Sequence, residues 1–163
     1  MAALSALLGV GARLSEIALL GVDDVDLDLD VIQVLGKGRR PRAIPFGAKT
    51  GQALSRYLRV RAADRWAEHP RLWLAEHGKG PLASAGMKRV IERRGRQAGV
   101  ERMFAHRFRH TLAHNWQLQK GNETDLMRIM GWKSPEMLRR YGASAADERA
   151  HLSHRELGLG DRL

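Results

Sequence analysis

Apolar positions follow a helical spacing over most of the chain, with one clear interruption. Met1 to Leu8 is apolar and small and predicts a helix, which Gly9-Val-Gly-Ala12 breaks. A second helix is expected from Arg13 or Leu14, with Leu14, Ile17, Ala18 and Leu20 as its inner stripe and Gly21 as its stop. From Val22 the period changes. Val25, Leu27, Leu29 and Val31 alternate with Asp26, Asp28 and Asp30, the two-residue repeat of a half-buried strand. Val31-Ile-Gln-Val-Leu35 is more β-branched and predicts a stronger strand. Gly36 to Pro41 predicts a turn and Arg42-Ala-Ile-Pro-Phe46 a short return strand, giving a hairpin with a basic tip.

After Gly47 the helical period returns. A helix is expected over Thr50 to Trp66, then a connector over His69 to Leu82 around the apolar Leu72-Trp-Leu74. Ser84 to Ala98 predicts a strongly basic helix. His106 to Gln119 and Glu123 to Met130 follow, closed by Gly121 and Gly131. Ser134-Pro135 opens the next, with proline at the permitted first turn. Ala145 to Leu157 predicts a last amphipathic helix, with Gly158 onward a frayed tail. The pattern is mainly α with a small antiparallel β element, an α+β class. No repeat or Pro/Ser-rich linker interrupts it, so one domain over residues 1–144 with an extension over 145–163 is expected.

Composition narrows the possible partners. The chain has 163 residues, 28 Lys plus Arg against 18 Asp plus Glu, and a formal charge of +10. Arg contributes 22 of the basic residues and Lys 6. The planar guanidinium matches phosphate bidentately, so nucleic acid is the first hypothesis and an anionic membrane surface the second. Genomic base composition also explains an Arg bias, though not the net charge. The uncharged run from Met1 to Ala12 is shorter than the roughly 20 apolar residues of a membrane span. It also lacks the basic n-region and small-residue site of a secretory signal. There is no cysteine, which excludes disulfides, thiolate metal ligands and a Cys nucleophile and is compatible with a reducing cytosol.

The densest candidate chemistry is His106-Arg-Phe-Arg-His-Thr111. His106, His110 and His114 share a helical face at zinc-pair spacing. Against a metal stand the missing glutamate of HExxH and the two cations Arg107 and Arg109. Anion chemistry suits the fragment better. His106 and Arg109 share a face at i, i+3 and combine a proton-transfer group with a bidentate phosphate clamp. Arg13 follows a glycine-rich break, and Glu16 stands on the same face to hold its guanidinium. Lys37 lies at the hairpin tip between two glycines. Tyr141 is one of two tyrosines. The Asp23 to Asp30 stretch lacks the glycine and terminal glutamate of an EF-hand, so calcium is rejected.

The order of these segments resembles the tyrosine recombinases, the phage-integrase family. Gly11-Ala-Arg-Leu-Ser-Glu16 resembles that family's G-x-R-x-x-E segment. Leu35-Gly-Lys-Gly-Arg39 with Arg42-Ala-Ile-Pro45 resembles its lysine hairpin. His106 to Thr111 resembles its H-x-L-R-H-[TS] box, with Phe108 where Leu is usual. Ile129-Met-Gly-Trp-Lys-Ser134 and Tyr141 resemble its L-G-H-x-S segment and nucleophile, with Trp132 at the usual histidine. The resemblance runs from about Leu7 to Ala143. It implies the tyrosine recombinase fold, with a small three-stranded antiparallel sheet. Because the chain opens almost at the first arginine motif, it is expected to be the catalytic domain of a longer integrase.

The resemblance also implies a mechanism. Tyr141 attacks the scissile phosphate to give a 3′-phosphotyrosine and a free 5′-hydroxyl, with no metal and no ATP. Arg13 and Arg109 clamp the phosphate, Lys37 protonates the leaving oxygen, and His106 donates to the phosphate or assists proton transfer. Trp132 donates an indole N–H or buttresses the pocket, since it cannot act as a base. Glu16 and His110 stand behind these groups. Arg39, Arg40, Arg42, Lys88, Arg89 and Arg93 are expected to grip backbone phosphates. The implied partners are double-stranded DNA and three further copies, with the C-terminal tail docking between protomers. A cytoplasmic, nucleoid-associated setting is expected. A type IB topoisomerase-like or telomere-resolving relative, and a non-catalytic DNA-binding domain, are the alternative readings.

Overall fold

A computed structural model describes residues 2–36, 40–76 and 79–158. The chain forms two compact units, residues 1–109 and 110–163. The first holds helices α1 (Ala2–Gly9) and α2 (Leu14–Leu19), strands β1 (Val25–Asp26), β2 (Val31–Leu35) and β3 (Pro41–Pro45), helices α3 (Ala48–Ala62) and α4 (Ser84–Gln97), and the start of α5 (Ala105–Leu118). The second holds the rest of α5, α6 (Glu123–Met130) and α7 (Pro135–Leu157). The mainly helical class and the three-stranded antiparallel sheet, in order β1-β2-β3, are as expected. No helix among the described residues is long and apolar enough to cross a membrane.

The first core grows from the patterned faces. Leu4, Leu7 and Leu8 of α1, Ile17 of α2 and Leu54 of α3 are fully buried together with Ile32 and Ile44 of the sheet. On β2, Ile32 and Val34 point inward while Gln33 and Leu35 face solvent, and the register pairs Ile32 with Ile44 and Val34 with Arg42. Beneath α4, Met87 and Ile91 close the core, leaving Lys88, Arg89 and Arg93 on the outer face.

The connector after α3 is tied down by buried polar groups. Arg61 is 6% exposed and donates Nε to the Leu72 carbonyl, Nη1 to Ala67, and Nη2 to His69 and Arg71. The Tyr57 hydroxyl donates to the Leu72 carbonyl at 3.0 Å and accepts from the Leu74 N–H at 2.9 Å. Trp73 Nε1 donates to the Ile17 carbonyl at 2.8 Å, which seats the connector on α2.

Two expectations are corrected. The alternation from Val25 to Val31 yields only the two residues of β1. The Asp26 carboxylate accepts from the N–H groups of Asp28 and Leu29, closing a turn that leaves Leu27 and Leu29 exposed. The second correction concerns the separate tail helix from Ala145, because α7 runs unbroken from Pro135 to Leu157. Gly142 lies inside it, buried, where an added Cβ would fall on the Gln117 carboxamide. That glycine serves close packing, not a break. In the second unit Ala113, Leu126, Met130, Trp132, Leu138 and Tyr141 form the core.

Candidate active site

The first cluster is built around the start of α2. Gly11 adopts φ 94°, the left-handed region that favours glycine, and turns the chain out of α1. Arg13 then precedes the first turn of α2. Glu16 reaches back to accept the Arg13 backbone N–H at 2.8 Å and the Arg13 Nη1 at 2.9 Å. This is the returning arm of a helix capping box, used here to hold an arginine side chain as well.

Glu16 is buried, and its second partner comes from the sheet. Arg42 donates Nη1 to Oε1 at 2.9 Å and Nη2 to Oε2 at 2.8 Å. Burial alone pushes the Glu16 carboxyl up. The hydrogen bonds from Arg42 and Arg13 outweigh burial, so its pKa lies below the ordinary carboxylate value. Arg42, expected among the phosphate contacts, is therefore engaged with Glu16, its side chain only 15% exposed. The sequence carried a signal for this. Arg42 lies two residues before buried Ile44 on the same strand, so the pleat points both toward one face.

Arg109 is 2% exposed, and its Nη1 donates to the Gly11 carbonyl across 98 residues of sequence. The segment Gly11–Arg13 thus receives both proposed clamp residues. The guanidinium groups of Arg13 and Arg42 pair with the Glu16 carboxylate and that of Arg109 bonds the nearby Gly11 carbonyl, so three cations and one anion, 3 − 1, leave +2 around this segment. Arg13 keeps 38% of its side chain exposed and is the open end of the cluster. His106 is exposed on the first turn of α5. Lys37 and Arg39 lie outside the described residues.

The second cluster belongs to the second unit. Gly131 ends α6 in the left-handed conformation, and the Trp132 N–H then bonds the Met127 carbonyl at 2.9 Å. Trp132 enters the core beside Tyr141, ring centroids 4.7 Å apart. His110 also stacks on Tyr141, ring centroids 4.4 Å apart. Tyr141 is 5% exposed, held on α7 between a donor-only indole and an imidazole. His114 lies 3.9 Å from Glu148, and Lys120 pairs with Glu156, so the late turns of α7 contact α5 and the turn after it within the same unit. Among the described residues no group of three His, Asp or Glu side chains converges where a metal ion could be held.

The expected phosphate contacts on α4 are solvent-facing. Lys88 lies 3.9 Å from Glu92 and Arg93 3.7 Å from Glu76. Such exposed pairs contribute little and are readily exchanged for a phosphate. Arg40 is exposed at the base of the hairpin.

The profile of the phage integrase family matches residues 1–148. The tyrosine recombinase XerC of Staphylococcus carnosus is 30% identical over 155 residues, covering 94% of this chain and 49% of that protein. XerD of Corynebacterium glutamicum is 37% identical over 109 residues, covering 66% of this chain and 36% of that protein. The chain thus spans half or less of the length of these relatives. Among solved structures, the XerA recombinase superposes with a TM-score of 0.82 at 25% identity, covering 94% of this chain and 56% of that one. The XerH recombinase, solved bound to its difH substrate, gives 0.71 at 23% identity, covering 85% of this chain and 41% of that one. With the arginine, H-x-x-R and tyrosine motifs in order and on these elements, the chain belongs to the phage integrase family of tyrosine recombinases.

Proposed function

We propose that this chain is the catalytic part of a site-specific DNA recombinase that breaks and rejoins strands through Tyr141. The observation that carries the reading is the meeting of Arg13 and Arg109 at one segment, Gly11–Arg13, from positions far apart in sequence. Fixed guanidinium groups with net positive charge, Arg109 buried and Arg13 at the open end, suit an anion that gains charge during reaction, as a phosphodiester does at its non-bridging oxygens.

In this reaction the Tyr141 phenol oxygen bonds to phosphorus and the bond from phosphorus to the 5′-oxygen breaks. The phenol proton leaves with His106 assisting, and Lys37 supplies a proton to the departing oxygen. One phosphodiester replaces another, so the 5′-hydroxyl of a second strand reverses the attack and no ATP is consumed. His110 and Trp132 hold the nucleophile's ring, and Glu16 holds Arg13. The basic outer face of α4 and Arg40 grip the duplex backbone. The catalytic domain spans residues 1–144, and residues 145–163 dock between protomers of a tetramer on paired sites.

The test is covalent capture. The protein at its natural length is incubated with nicked duplexes covering the ends of the element that encodes it. The expected result is a DNA adduct in the unsubstituted protein, none with Tyr141→Phe, and an undiminished adduct with Tyr57→Phe. An adduct that survives Tyr141→Phe overturns the assignment. Relaxation of supercoils without joining of two sites favours the topoisomerase-like reading. Salt-dependent DNA binding with no adduct favours the non-catalytic one.

A further inference from the structure

We infer, on the basis of the reaction proposed above, that Gln117 is a positioning residue for Tyr141, one whose buried carboxamide loosens the packed seat of the nucleophile so that its phenol can leave for a phosphate.

Tyr141 is 5% exposed, with the Trp132 ring centroid 4.7 Å and the His110 ring centroid 4.4 Å from its own. A reacting atom has to come within about 3–3.5 Å of its target, and the phosphates of a duplex line its outer surface. The Tyr141 side chain therefore has to leave its packed place before it attacks. How readily it does so depends on what holds that turn of α7 down.

Gln117 stands on the last turn of α5 and is 4% exposed. Its backbone is fixed by the turn that ends the helix. Its carbonyl accepts from the Lys120 N–H at 3.1 Å, and the Trp116 carbonyl accepts from the Gly121 N–H at 2.9 Å. The side chain reaches the residue next to Tyr141, because a Cβ at Gly142 would overlap Oε1, Nε2 and Cδ of Gln117. Glycine directs only a Cα hydrogen there and lets the two helices approach. The buried Oε1 has no hydrogen-bond partner among the described residues. The carbon-bound hydrogen that it meets at Gly142 is a weak one.

A buried acceptor without a donor carries the desolvation penalty of the group with little to offset it. That penalty is present while the Tyr141 turn lies on α5, and it is relieved when the turn lifts and water reaches the carboxamide. An apolar side chain of the same length would fill the same space without the penalty and would hold the tyrosine harder. Gln117 thus favours the conformational step that precedes attack, and it acts on the reaction only through Tyr141.

The natural-length protein is compared with Gln117→Met, an unbranched apolar replacement of similar length, and with Gln117→Leu, so that the fit of one side chain does not decide the outcome. Single-turnover adduct formation is followed on nicked duplexes of the captured site over a range of protein concentrations. Urea unfolding and hydrogen exchange of the α7 peptide containing Tyr141 are measured alongside. At least one apolar variant is expected to unfold at higher urea and to exchange the amides around Tyr141 more slowly. The same variant should form adduct about tenfold more slowly at saturation, with an unchanged half-saturating concentration. A residue that merely supported the fold would move stability and rate together, whereas here they move in opposite directions.

If neither apolar variant is more stable than the unsubstituted protein, the inference is overturned. A stabilised variant that cleaves at an undiminished rate overturns it too, because the seat of Tyr141 then has no part in the rate. If the unsubstituted protein forms no adduct, the proposed reaction itself falls, and the inference with it.

Discussion

Glu16 holds four hydrogen bonds with a side chain only 4% exposed. Its pKa is depressed in the folded protein, so the stability it contributes is present above the unfolded carboxyl value, about 4.3, and is lost as pH falls through the lower folded value. Glu16→Gln leaves two guanidinium groups facing a neutral amide and is expected to destabilise the first unit by about 3 kcal/mol near neutral pH. Urea unfolding across pH checks this. The gap between unsubstituted protein and variant should close as pH drops below about 4. The two tyrosines divide by their surroundings. Burial pushes the Tyr57 phenol up from its ordinary value, and its oxygen is occupied by the Leu72 carbonyl and the Leu74 N–H. Tyr57→Phe is expected to lose about 1–2 kcal/mol in denaturant unfolding and no strand cleavage. Motif spacing singled out Arg13, Arg109 and Tyr141 from sequence as candidate site residues. The partner of Arg42 was not legible there, because a contact between β3 and α2 leaves no local periodicity.

Among the elements, helices were easy to read because their inner faces repeat over many residues, and the hairpin because β-branching and a glycine turn coincide. The Asp-rich alternation misled for a physical reason. A short aspartate that caps its own downstream N–H groups competes with strand pairing, and apolar spacing does not record that. Continuity of α7 through Gly142 was equally hidden, because only the neighbouring Gln117 carboxamide shows why a side chain is excluded. Gly142→Ala is expected to displace Gln117 and lower stability by about 1–3 kcal/mol, with a change in near-ultraviolet dichroism from the adjacent Tyr141 and Trp132. Arg61 makes the larger claim on an element. Arg61→Met strips donors from the carbonyls of Ala67, His69, Arg71 and Leu72 and is expected to cost about 3 kcal/mol in denaturant unfolding. The connector that seats Trp73 on α2 should then exchange its amide hydrogens faster.

For the whole molecule, the +10 charge is unevenly committed. Arg42, Arg61 and Arg109 are turned inward, while Lys88, Arg89 and Arg93 face solvent on α4. Net charge alone therefore overstates the number of cations available to a duplex. Replacing Arg89 or Arg93 with Ala is expected to weaken DNA binding about equally for all sequences. Each change should reduce the slope of log affinity against log salt by about 1, measured by titration at several ionic strengths. The bond from Arg109 to the Gly11 carbonyl also orders events in time. Ribosomes add about 5–20 residues per second, so the 98 residues between the two ends take about 5–20 s to emerge. Glu16 meets Arg42 only 26 residues on, well before Arg109 exists. The brace of Glu16 on Arg13 and Arg42 can thus form in the nascent chain before the strap from Arg109 to Gly11 closes.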